Sequence, residues 1–277
     1  MRNFINWLSL CVILCLTLQC HEKDKLIKMD QSSNSSIVDY CQNGERNGLC
    51  IGYYSTGSIH DSTYYKNGVW EGRRIVYYPN GNKEYIANCK KGFFDGKCIR
   101  YYKNNKVARV SNYKSHQEIG WVNEFDTLGR LIVSTEYCYV NDTIIMNSIK
   151  EFLPNGKLNY SKSFFAKVKL NKDTVKLGEN ILISARLYGS SRERYGDKYN
   201  LKLGVGDFNE KFILSDSNKI DIIITDYKDS TSLSIEAKKK GLNILRGYVA
   251  NDSTFKKGIP YPCLSRKTYF TVNFFVK

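Results

Sequence analysis

Gly72-Arg73-Arg74-Ile75-Val76-Tyr77-Tyr78-Pro79-Asn80-Gly81-Asn82-Lys83-Glu84-Tyr85-Ile86-Ala87-Asn88-Cys89 is the stretch that decides the fold. Two segments rich in Ile, Val, Tyr and Ala flank Pro-Asn-Gly-Asn, and Asn and Gly accept the positive φ that tight turns between antiparallel strands demand. The stretch predicts a β-hairpin. Side chains alternate along a strand, so Ile75 and Tyr77 are expected on one face, Val76 and Tyr78 on the other.

The pattern recurs with a period of 24 residues. One column reads Tyr53, Tyr77, Tyr101, Phe125 and its neighbour Tyr54, Tyr78, Tyr102, Asp126; a third, Gly48, Gly72, Gly96, Gly120, is invariant. The hairpin-turn column is Gly57, Gly81, Asn105, Gly129, and a last one runs Cys41, Tyr65, Cys89, Tyr113, Tyr137. Glu151-Phe152-Leu153-Pro154-Asn155-Gly156 adds another copy, 27 residues after Gly129. The array is expected over residues 38–165. One hairpin cannot bury its own apolar surface, which is why several are strung together. As packing, the tyrosines stack their rings with hydroxyls in water; as function, an exposed strip at Tyr54, Tyr78 and Tyr102 grips a glycan or a partner strand.

The pattern Tyr-Tyr-x-Asn-Gly, then Tyr, a turn and x-Gly, resembles the MORN-repeat variant family. The resemblance implies an elongated single-layer β-meander that contacts proteins or membranes and has no catalytic residues. Bacterial members are commonly labelled antitoxins, so an antitoxin or immunity protein that neutralises a toxin by surface contact is the alternative reading. Asn104-Asn105 in the third copy and Asp126 in the fourth depart from the pattern and are expected to weaken the ladder.

From Lys167 the 24-residue spacing is lost. Val175–Leu177 and Asn180–Ala185 read as strands about a Gly178 turn, followed by Asn200–Val205, Glu210–Leu214, Ile220–Thr225, Ser232–Ala237, Leu242–Ala250 and Thr268–Val276. Short strands at this spacing predict a β-sandwich over residues 166–277. Val175 to Ile183 and Lys240 to Val249 resemble strands of bacterial immunoglobulin-like domains. The predicted fold class is all-β: hairpin repeats followed by an immunoglobulin-like β-sandwich.

At the other end, Arg2 precedes an uncharged run from Phe4 to Leu18, a secretory signal pattern too short for a permanent membrane span. Leu16-Thr17-Leu18-Gln19-Cys20 resembles a bacterial lipoprotein cleavage box, with Gln19 where a small residue is usual. Residues 1–20 are read as a lipoprotein-type signal peptide with Cys20 as the lipidated residue, and residues 21–37 as a polar tether. The chain is therefore expected in the bacterial envelope, on the outer membrane or cell surface.

The net charge is +15, from 42 Lys and Arg against 27 Asp and Glu. Residues 41–165 carry 17 bases and 11 acids and residues 166–277 carry 21 and 12, so the excess is spread and is not read as a nucleic-acid signal. Lys97 to Lys114 is locally dense, with Lys97, Arg100, Lys103, Lys106, Arg109 and Lys114 and no acid. Arg100, Tyr102, Lys103 and Lys106 are therefore candidate contacts for a protein or glycan partner.

No motif points to catalysis or a cofactor. His60 and His116 fall in different columns, and Asp221, Asp226 and Asp229 read better as a solvated strand end than as a calcium site. Cys41 and Cys50, and Cys89 and Cys98, share a separation of nine residues. In an oxidising compartment this predicts two cross-strand disulfides; the other readings are thiol pairs copied with the repeat and, more remotely, zinc. The expected function is a non-enzymatic envelope lipoprotein that binds through its repeats.

Overall fold

The computed structural model describes residues 27–28, 35–39, 41–42, 45–189, 200–206, 208–213, 220–226, 230–252 and 267–277. The first strands are β1 (Ile27–Lys28), β2 (Ser35–Asp39), β3 (Cys41–Gln42), β4 (Glu45–Arg46), β5 (Gly48–Tyr54) and β6 (Ile59–Lys66). They lead into β7 (Val69–Tyr77), β8 (Lys83–Lys90), β9 (Phe93–Tyr101), β10 (Val107–Lys114), β11 (Gln117–Glu118) and β12 (Gly120–Phe125). β13 (Leu131–Val140), β14 (Thr143–Phe152) and β15 (Leu158–Leu170) close the array. The second half holds β16 (Thr174–Val175), β17 (Asn180–Tyr188), β18 (Asn200–Gly206), β19 (Ile220–Asp226), β20 (Ser230–Glu236), β21 (Gly241–Asp252) and β22 (Lys267–Val276). The described residues contain no helix, hence none long and apolar enough to cross a membrane.

Strands β5 to β10 and β12 to β15 follow one another as antiparallel neighbours in a single large sheet, as the repeat predicts, with the short β11 paired to β10. The hairpin turns carry Gly57, Gly81, Asn105, Gly129 and Gly156 at φ 87, 82, 64, 87 and 78°. In each, this residue donates its N–H to the carbonyl three positions back, as Gly81 does to Tyr78 at 2.8 Å. The return turns Asn67-Gly68, Lys91-Gly92, Ser115-His116 and Asn141-Asp142 have positive φ at both residues, which suits the right-handed twist of paired strands. His116 thus occupies a position built for glycine.

The sheet begins earlier than expected. Ser35–Asp39 pairs with β5 and Ile27–Lys28 pairs with Ser35–Asp39, so part of the stretch read as tether is strand. The expected boundary at 165/166 falls inside β15, which pairs with β14 up to Phe164 and with β17 from Phe165 to Leu170. A second sheet, in the order β16-β22-β21-β18-β19, packs against the β15-β17-β20 end of the first. Ile183, Ala185 and Leu187 of β17 meet Leu203, Val205 and Val249 in a core flanked by Phe164, Val168 and Phe270. The other expected strands of this half are found, but of Val175–Leu177 only Val175 is strand, in β16, and Glu210–Ile213 forms a turn in which Asn209 Oδ1 accepts the N–H of Lys211 and of Ile213.

Asn147, 2% exposed, joins the halves. Its Nδ2 donates to the Tyr269 carbonyl at 2.9 Å and its Oδ1 accepts the Tyr269 N–H at 2.7 Å. Nearby, Asn141 donates its backbone N–H to the Lys211 carbonyl, and Lys211 pairs with Asp142.

Candidate binding surface of the repeat array

Successive repeats are stapled by the second tyrosine of each pair. The hydroxyl of Tyr54 donates to the Tyr77 carbonyl at 2.6 Å, that of Tyr78 to Tyr101 at 2.8 Å, and that of Tyr102 to Phe125 at 2.7 Å. These hydroxyls are therefore engaged with the next repeat. Burial first, then the nearby Glu84 carboxylate, raises the Tyr54 and Tyr78 pKa above its ordinary value, so both remain donors. At the fourth copy Asp126 instead accepts from the backbone of Leu128 and Arg130 and from the Arg130 side chain, which closes its own turn. The ladder is continuous through three units and then stops, as the column pattern predicts.

The opposite end of each hairpin has a second staple that sequence reading missed. Asn47, Glu71 and Asp95, again 24 residues apart, accept the backbone N–H of Asn67, Lys91 and Ser115. The three residues differ in type and share only an oxygen at the right place.

Replacing Tyr78 with Phe removes one donor and leaves a part-buried carbonyl unpaired. The expected cost is about 1 kcal/mol, read as a lower urea midpoint with an unchanged slope. An unmoved midpoint would show that the staple contributes nothing.

Cross-strand pairing defines two faces. On one, Cys50, Thr63, Arg74, Ala87, Cys98 and Ser111 form a row from β5 to β10, with Ala87 fully buried between its neighbours. Trp70, Tyr85, Phe94 and Tyr113 cover this row. On the other, Ile51, Ser62, Ile75, Ile86, Ile99 and Val110 form a half-buried strip beside the exposed Leu49 and Tyr64.

The disulfide expected between Cys89 and Cys98 is not formed, and both are free cysteines. Cys98 stands opposite Ala87, whereas Cys89 stands opposite Phe94, because four residues of β9 run against two of β8. The two thiols share a face but are staggered along it. Cys50 is buried opposite Thr63, and the side chain of its expected partner Cys41 lies outside the described residues. So do Cys20, residues 1–26 and the side chains of Asp221 and Asp226. Among the described residues no group of His, Cys, Asp and Glu could hold a metal ion.

Burial pushes the Cys89 thiol up to about 11 and Cys138 to about 12. Between the ordinary value of 9.0 and about 11 the unfolded chain has lost the Cys89 proton that the native state keeps. This contribution to stability is complete below the lower value and falls as pH rises through the window. Urea midpoints should drop between pH 9 and 11 by less in Cys89→Ala than in the parent chain; equal drops would contradict this.

The basic run does not form one patch. Strand alternation puts Arg100 and Arg109 on the Cys98 face and Lys97 on the Ile99 face, while Lys103 and Lys106 lie in the hairpin turn. Lys106 Nζ donates to the Leu128 carbonyl at 2.9 Å, and the Lys103 carbonyl accepts from Asn80 and Asn82. Arg109 is neutralised by Glu118 at 2.7 Å and Glu124 at 2.6 Å. Among the described residues, two guanidiniums on the Cys98 face have no such carboxylate. Arg100 stacks 5.4 Å from the Tyr85 ring, and Arg74 lies 3.9 Å from Trp70 and 6.0 Å from Tyr85.

Residues 70–91 and 94–115 each match the family described as MORN repeat variant. These two units are MORN repeats. They are the hairpin pairs β7–β8 and β9–β10, and both MORN units contribute a tyrosine staple. No curated protein matches the chain. Among solved structures it is similar to Escherichia coli alpha-2-macroglobulin activated by porcine elastase, at 7% identity and a TM-score of 0.26. That likeness covers 90% of this chain but only 31% of the other. MORN repeats are in general modules that bind proteins or membranes.

Proposed function

We propose that this chain is a non-enzymatic lipoprotein of the bacterial envelope that acts as a binding or adaptor module through its MORN array. The array supports this reading most directly: its repeats are held to one another by backbone-directed staples, which leaves aromatic and charged side chains of both faces as surface. Residues 1–20 and Cys20 supply the lipid anchor. The second half, read as immunoglobulin-like, is a spacer or second contact.

The anchor is tested by following palmitate into the parent chain and Cys20→Ala, with fractionation of cells expressing each. Label in the membrane fraction of the parent, lost in the variant, is the expected result. A soluble cytoplasmic parent product would overturn the lipoprotein reading.

A further inference from the structure

Arg74 Nε and Nη1 are buried and have no hydrogen-bond partner among the described residues. Orphan donors of this kind are rare in folded proteins, and a charged one costs more than a neutral one. Acids near Arg74 are committed elsewhere. Asp61 takes the Thr63 hydroxyl and contacts His60, and Glu71 caps Lys91. Farther along the same face Glu118 and Glu124 hold Arg109. Arg100, exposed and facing Arg109 directly across the strands, gains a like charge as its neighbour. Both unmatched guanidiniums lie within 6.0 Å of the Tyr85 ring centroid.

We propose that Trp70, Arg74, Tyr85 and Arg100 form a carboxylate-binding site that takes an acidic peptide segment of a partner protein. The proposal rests on the reading of the array as a binding module. A guanidinium held against aromatic rings has less side-chain entropy to lose on binding a carboxylate than a free lysine has. The site lies in mid-strand, on the sheet face and half-buried, which suits a narrow extended chain better than a flat layer of lipid headgroups. The net charge of +15 draws an acidic segment toward it.

The test uses the full chain, titrated with oligoglutamate and with oligoglutamine, and followed by calorimetry and by tryptophan fluorescence, to which Trp70, whose ring Arg74 covers, is one of three contributors. Oligoglutamate should bind saturably and oligoglutamine should not. Arg74→Gln and Arg100→Gln should each weaken binding about tenfold or more. Arg74→Lys keeps the charge but loses the planar group held against Trp70, and should weaken binding with an unchanged circular dichroism spectrum. Lys97→Gln removes the same charge from the other face and should change affinity less than about twofold. Equal weakening by Lys97→Gln, or preference for phosphatidylglycerol vesicles over oligoglutamate, would overturn the site. If partner crosslinking through the array in cells survives Arg74→Gln and Arg100→Gln, this site fails while the binding role of the array stands.

Discussion

Gly247→Ala is expected to lower stability by more than about 4 kcal/mol, enough to lose the folded second half. Gly247 pairs with Val205 on one side and Phe270 on the other, in the middle of β21. A Cβ there would stand 2.3 Å from the Gly204 carbonyl oxygen and 2.7 Å from the Phe270 ring. The ring can turn aside only by leaving the core; the carbonyl belongs to the paired strand and cannot move without breaking the ladder. Gly204 has the reciprocal constraint, since its Cβ would meet the Tyr248 ring at 2.6 Å. Each glycine thus leaves room for an aromatic ring from the adjacent strand, on opposite faces of one sheet. Limited proteolysis and a denaturation midpoint measure the effect; a midpoint within about 1 kcal/mol of the parent would show that the strands can separate to admit a methyl group.

Asn147→Ala is expected to cost about 3 kcal/mol, since it leaves both the N–H and the carbonyl of Tyr269 unpaired in a buried place. It also frees one of the groups that contact Glu136, whose carboxylate accepts from Asn147 at 2.7 Å and from Ser148 at 3.0 Å. Asn147→Asp should be worse, because a carboxylate cannot donate to the Tyr269 carbonyl and lies against Glu136. The Ala variant should gain protease cleavage at the junction of the halves, and the Asp variant should recover part of its loss as the pH falls. Unchanged protease resistance in both would mean that β15 and the Asn141, Asp142 and Lys211 contacts hold the halves together without Asn147.

The repeats were legible because turn chemistry and strand chemistry are written in residue type. Gly81, Asn105 and Gly129 mark positive φ, and tyrosine pairs mark the strand ends. What the tyrosines do was not legible: Tyr54, Tyr78 and Tyr102 bond to carbonyls, and a backbone acceptor leaves no trace in a sequence. The Asn47, Glu71 and Asp95 column hid for the opposite reason, since three unlike side chains do one task. The basic run misled because charge density along a strand says nothing about charge density on a face. Alternation sends Lys97 and Arg100 to opposite sides, and Arg109 is cancelled by acids further along. Arg74 drew no notice because one arginine in a hairpin is ordinary until its neighbours are known. The domain boundary was placed where the period ends, yet β15 carries its alternation straight through it, and pairing partners rather than periodicity change there.

The central claim, that the array is the surface through which this protein acts, is tested most directly by a photo-crosslinking amino acid placed at single positions in intact cells. Array positions are Tyr64, Lys97, Lys103 and Val133; those of the second half are Leu177, Leu242 and Ile244, all three exposed. Discrete adducts from at least one array position, with none from the second half, are the predicted result. Adducts from the second half alone would contradict it.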